Sequence, residues 1–335
     1  MLFRCLILLV LLLPNRSHAQ DNQIHILFYN TENLFDTIDA PGKSDEEFTP
    51  AGKLEHTSER YALKLDHLAR VIDSSFSGEA PDLLGLCEVE NRQVVKDLRG
   101  RIGVAHRLAV VHFESPDQRG IDNALMYDTV QFSVLDSGLR LIDLGKDERP
   151  TRGVLWAALN DHHSKETFVV LVNHWPSRYG GQEESNWKRM KASSICVQLI
   201  DSLSGAFPDC SVVVMGDLND HPDNESVLQL ERCEDPLYDP CMVNMHKHYL
   251  DTDLGSHAYR GEWGVLDHVL VNRRLLDQHK WTPAPKQGGD FVHYPWMMYE
   301  NEKDQRFYPS RFYGGSAFYG GYSDHLPARL TLRLP

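Results

Sequence analysis

The chain has 335 residues, a formal net charge of −14 and 24% charged residues. That length suits one large domain or two ordinary ones. The acidic balance excludes a protein that grips nucleic acid by bulk charge, which needs a basic face. It leaves room for a local basic cleft working with a divalent cation, and clustered acids are what such a cation requires.

The first twenty residues, MLFRCLILLVLLLPNRSHAQ, combine a basic Arg4, an apolar run from Cys5 to Leu13 and a small-residue exit at Ser17-His18-Ala19. This is the pattern of a secretory signal over residues 1–19, leaving one domain over 20–335 in a secreted or periplasmic product. The apolar run is too short to span a bilayer, and no later segment is long enough, so no transmembrane segment is expected.

IHILFY (24–29) reads as the first strand. SERYALKLDHLARVIDSSF follows as an amphipathic helix, with Tyr61, Leu65, Leu68 and Ile72 at helical spacing. LLGLC (83–87), NALMY (123–127), VLWAAL (154–159) and FVVLV (168–172) read as further strands. A second helix is expected over NWKRMKASSICVQLIDSL, with Trp187, Met190 and Ile195 facing inward. SVVVM (211–215), VLDHVLV (265–271) and ARLTLR (328–333) complete the strands. Helices mixed with strands give an α/β (α+β) domain. From Trp281 to Tyr322 the chain is rich in Tyr, Phe, Pro and Gly without a period, which suggests an ordered lip over a site. Cys87 reads as a buried thiol. Cys233 and Cys241 flank EDPLYDP and either close a small disulfide or stay reduced, and the lack of a CxxC pair argues against structural zinc.

Polar residues recur at the ends of these apolar runs: Asn30, Glu88, Asp122 in RGID, His174 and Arg178 in NHWPSR, Asp217 and Asn219 in GDLND, Asp267, and Asp324-His325 in SDH. Each alone suits a loop or a turn. Together they can converge at one sheet edge. Nucleophile elbows and glycine-rich phosphate loops are absent from the sequence. Carboxylates with carboxamides favour a hard cation such as magnesium, and histidines beside them can act as acids or bind phosphate. That combination suits hydrolysis of a phosphate ester by water.

FYNTENLFD, LCEVEN, GDLND, LDHV and SDH, in that order, resemble the endonuclease/exonuclease/phosphatase superfamily, over about residues 24 to 333. RGID, NHWPSR and GGYSDH look closest to its secreted or membrane-associated bacterial branch. The resemblance implies a deoxyribonuclease I-like, four-layer sandwich of two mixed β-sheets flanked by helices. It implies a metal-dependent phosphodiesterase, foremost an exported endonuclease, with a sphingomyelinase-type or other small phosphoester hydrolase as the alternative. Mg2+ or Mn2+ would be held by Glu88 with Asn30, and by Asp324 directly or through water. Asp217 would orient or deprotonate the water, Asn219 would hydrogen-bond it, and His325, held by Asp267, would protonate or stabilise the transition state. Relatives such as deoxyribonuclease I carry a second active-site histidine, matched here by His174, with Asp122 as its candidate partner or else a turn residue. Arg178 would bind a phosphate oxygen or form a surface salt bridge. Trp175 and His268 are expected to pack in the core. The expected partner is nucleic acid or another phosphodiester, with no stable protein partner.

Overall fold

The computed structural model describes residues 23–232, 241–277, 281–284 and 288–333. The proposed signal (1–19) and Cys233 lie outside the described residues. Cys241 is disulfide-bonded, while Cys87 and Cys196 are buried free thiols.

Two sheets carry the fold. The first contains β1 (Gln23–Leu34), β2 (Leu83–Val89), β3 (Leu108–His112), β4 (Asp122–Asp128) and the C-terminal strand Ala328–Arg333. Its order runs from Thr282–Pro283 through the C-terminal strand, β1, β2 and β4 to β3. The second contains β5 (Phe132–Arg140), β6 (Val154–Asp161), β7 (Thr167–His174), β8 (Ser211–Asp217), the strand Asp267–Asn272 and β9 (Met242–Asn244), in that order across the sheet. Each sheet is antiparallel except for one parallel pair, β1 with β2 and β7 with β8. The sheets are therefore mixed, as the resemblance implied.

Period-two alternation sorts the side chains into layers. In β7, Phe168, Val170 and Val172 face the first sheet, while Val169 and Leu171 meet the helix behind. In β8, Val213 and Met215 point inward and Val212 and Val214 outward. The two faces are covered by α1 (Ser58–Ser74) with α2 (Arg92–Arg99), and by α3 (Gln182–Ala206) with α4 (Glu225–Glu231). This is a four-layer sandwich. The sheets approach closely at Gly85, where a Cβ would lie 2.4 Å from the Met215 sulfur.

The first helix buries Leu65, Leu68 and Ile72 as its spacing predicts. Thr57 caps it, its side chain accepting from Arg60 N. The second differs from expectation. α3 buries Ala192, Ser193, Cys196, Leu199, Ile200 and Leu203, and Trp187 is exposed. Small residues on the buried stripe let this helix lie close to the sheet, which an inward Trp would prevent. Among the described residues, no helix is long and apolar enough to cross a membrane.

Candidate active site

The direction of the strands explains why scattered residues meet. β1 and β2 run parallel, as do β7 and β8, so the four C-terminal ends carry Asn30, Glu88, His174 and Asp217 toward one edge of the sandwich. Asp267 opens an antiparallel strand directly opposite Asp217. His325 stands just before the C-terminal strand, which is antiparallel to β1. Strand ends and strand beginnings thus converge.

The contacts form a continuous path. Glu88 Oε1 lies 3.7 Å from His174 Nε2, which lies 3.7 Å from Asp217 Oδ2. That oxygen is 3.9 Å from His325 Nε2, and His325 Nδ1 is 2.7 Å from Asp267 Oδ2. Asn30 donates its amide N–H to Asp217 Oδ2 at 3.1 Å, while its carbonyl oxygen accepts from Glu32 N. Asn219 is tied down twice, its backbone N–H donating to Asp217 Oδ1 and its amide donating to Trp175 O. Glu32, Asn33, Glu88 and Asn219 all adopt left-handed backbone, with φ between 51° and 59°. Such strain in side-chain-bearing residues concentrates at functional sites.

The two histidines are driven apart electrostatically. Burial pulls His325 down, but the Asp267 charge and hydrogen bond, with Asp217 and Asp324, lift it well above the ordinary imidazole range. His174 is pushed well below that range by burial, with Arg152, Arg119 and His325 adding to the effect. Asp217 is raised to about 7 by burial and then by Asp267. Opposed shifts of this kind separate a proton donor from a neutral hydrogen-bonding group.

Glu88 offers one oxygen, Oε1, with no hydrogen bond, while Oε2 accepts from Asn33 N. Glu88 Oε1 and the Asn30 side-chain oxygen are donors of the kind a hard divalent cation takes. Asp324 is placed differently. Its Oδ2 pairs with Arg311 at 2.5 Å, and its carboxylate groups with His257 and His325. Direct ligation by Asp324 would mean releasing Arg311.

One expected pairing is corrected, and one open alternative is decided. Asp122 does not pair with His174. Its Oδ1 accepts from Ser115 N at 2.8 Å and its Oδ2 lies 3.1 Å from His112, because the β3–β4 pairing brings His112 to it. His174 Nδ1 is buried without a partner. Of the two roles open to Arg178, the structure shows the salt bridge. Its Nε donates to Asn219 O, and its Nη2 reaches Asn224 Oδ1 and Asp220, so it braces the loop that carries Asn219. Trp175 and His268 are buried as expected. Trp175 donates to Asn173 Oδ1, and His268 bonds Asn244 and Asp220 O.

Several contributors escaped the sequence reading. Lys64 of α1 is buried, donates to Tyr322 O and lies 3.9 Å from Glu32. Glu32 accepts from the backbone N–H groups of Phe312 and Tyr313 and so anchors the aromatic segment beside the site. Arg152 donates to Trp175 O and pairs with Asp117. The His257 ring lies 4.6 Å from that of His325. A charged Lys64 next to the apolar Leu65 was the one available signal; Arg152 and His257 sit in stretches with no readable period. A cavity of about 610 Å³ opens beside Asp324, lined among others by His257, Tyr259, Arg260, Tyr299, Lys303 and Arg311.

Comparison with known proteins bears on the fold and the family. No curated protein matches the sequence. An endonuclease/exonuclease/phosphatase family protein from Bacteroides thetaiotaomicron aligns with a TM-score of 0.58 at 12% identity, covering 92% of this chain and 94% of that one. A mannosyl-6-phosphatase from the same organism aligns at 0.57 and 12%, covering 92% and 99%. The human Nocturnin catalytic domain with bound sulfate aligns at 0.57 and 14%, covering 93% and 94%. These likenesses establish the fold. The sequence also matches the profile of the Endonuclease/Exonuclease/phosphatase family over residues 25–334. With nearly the whole chain matched and the fold shared, the protein belongs to the endonuclease/exonuclease/phosphatase family, whose members are divalent-metal-dependent hydrolases of phosphoesters.

Proposed function

We propose that the protein is an exported endonuclease that hydrolyses phosphodiester bonds with an activated water and Mg2+ (or Mn2+). The observation that carries this reading is the unbroken path from Glu88 through His174 and Asp217 to His325 and Asp267. A cation held by Glu88 and Asn30, with Asp324 alongside, would neutralise charge on the phosphoryl oxygens and make a bound water more acidic. Asp217 and Asn219 hold the attacking water in line with phosphorus. His325, kept charged by Asp267, protonates the leaving oxygen. His174 hydrogen-bonds a non-bridging oxygen. The cavity lined by Arg260, Lys303, Arg311 and tyrosines suits the next phosphate and base of a strand, since cations track the backbone and aromatic faces stack on bases.

The second reading, a sphingomyelinase-type or other small phosphoester hydrolase, draws on one observation. An apolar cavity of about 720 Å³ is lined by Leu254, Trp263, Pro295, Met298 and Phe307, which suits an acyl chain. The experiment is a matched pair of assays with Mg2+. Nicking of supercoiled plasmid, lost in His325→Ala, supports the endonuclease. Release of choline phosphate from sphingomyelin without nicking overturns it in favour of the lipid reading.

A further inference from the structure

β3 ends at His112 and the chain returns as β4 at Asp122. His112 is in register with Ala124, so Asp122 is its diagonal neighbour on the same face. Glu114 lies two residues beyond His112 in the chain. The topology therefore gathers one imidazole and two carboxylates at β3, the edge strand of the first sheet. One ligand atom from each lies within 4.8 Å of the others.

The geometry of this group is not that of an ordinary ion pair. His112 Nε2 and Asp122 Oδ2 are 3.1 Å apart, both buried, and neither has a hydrogen-bond partner. At that distance a simple His–Asp pair would align its N–H with the oxygen. Two ligands bound side by side to one tetrahedral cation at roughly 2.1 Å, however, stand roughly 3.4 Å apart, close to the separation here, with their lone pairs aimed at the ion instead of at each other. Asp122 is pre-set for this, because Ser115 N fixes its other oxygen. Glu114 Oε1 lies 3.9 Å from His112 Nδ1, the ring nitrogen away from Asp122, so it joins an ion at Nε2 only by swinging round, and its side chain, 62% exposed, has the room to do so and gives an ion a way in. The nearby Lys43 ammonium is engaged by the carbonyls of Ser115 and Asp117. None of the residues on the Glu88–Asp267 path takes part.

We propose that His112, Glu114 and Asp122 bind a second divalent cation of the first transition row, with zinc as the representative ion. Imidazole with carboxylates favours such an ion over magnesium or calcium, which prefer all-oxygen sites.

The test is isothermal titration of Zn2+ into the full chain carrying Glu88→Gln, which removes the main ligand of the candidate catalytic site. The expected result is one Zn2+ per chain. His112→Gln and Glu114→Gln, each added to that background, weaken binding by more than the roughly 10- to 100-fold that loss of a supporting group costs. Mg2+ gives no comparable heat. Glu114 is exposed, so its variant folds as the parent does, verified by an unchanged metal-free melting temperature. Absence of Zn2+ binding, or binding that is undiminished in Glu114→Gln and His112→Gln, overturns the proposal.

Discussion

Two imidazoles are held in opposite protonation states by what lies behind them. His325 has Asp267 at 2.7 Å; His174 has a buried Nδ1 with no partner. Asp267→Asn removes the charge that keeps His325 protonated. It is expected to lower kcat roughly 100- to 10,000-fold, with the melting temperature recorded alongside to exclude unfolding. Glu88 carries a different stress, its φ of 59°. A left-handed residue with a Cβ costs roughly 1–2 kcal/mol. Glu88→Gly should therefore be more stable than Glu88→Ala by about that amount, read from urea midpoints, while both lose activity. At this scale the sequence was informative about which side chains matter and weak on their partners. Glu88, Asp217 and His325 were legible because a polar residue ending a fully apolar run has few reasons to be there. The partner of Asp122 was not, since His112 reaches it through the register of a strand, LAVVH, too short to read with assurance.

The elements that hold these residues depend on how closely the two sheets pack. Gly85 of β2 faces the Met215 sulfur of β8. Gly85→Ala is expected to destabilise the fold by about 1–3 kcal/mol through overpacking. Adding Met215→Leu, which shifts the clashing atoms, should recover part of the loss, as judged from thermal melts. The strong strands β1, β2, β7 and β8 were legible because both faces are buried, which leaves long apolar runs. β5 was missed for the converse reason. It is an edge strand whose residues are mostly part-buried or exposed, so no apolar run marks it. The inward face of α3 was misread because Ala192, Ser193 and Cys196 carry the contact, and small residues contribute little to an apolar pattern.

For the whole molecule, acid works against the buried histidines. Burial lowers His56 and His268 to about 4 and His246 to about 3. Below the ordinary imidazole value the unfolded chain binds protons that the folded chain refuses. The stability these three groups contribute is therefore full above about pH 6.5 and is lost as pH falls toward these values, by up to about 1.4 kcal/mol per pH unit for each group. The carboxyls of Asp82, Glu90 and Asp217, raised to about 7, act in the opposite sense, so the test compares parent with His246→Gln: the parent's denaturation midpoint should lose more between pH 7 and pH 5 than the variant's, and equal losses would show that His246 is solvated. The architecture as a whole was readable from the order of motifs, because strand direction alone brings their ends together. The bridging charges Lys64, Glu32 and Arg152 were not, because they meet only in three dimensions. All of this rests on one edge of the sandwich acting as a single phosphoester-hydrolysing centre. The most direct measurement is the Mg2+-dependent turnover of bis(p-nitrophenyl) phosphate by the parent, Glu88→Gln and His325→Ala, with folding verified by circular dichroism. The account predicts turnover that EDTA abolishes and that each substitution lowers by about 100- to 1000-fold. Folded variants that keep the parent's rate would contradict it.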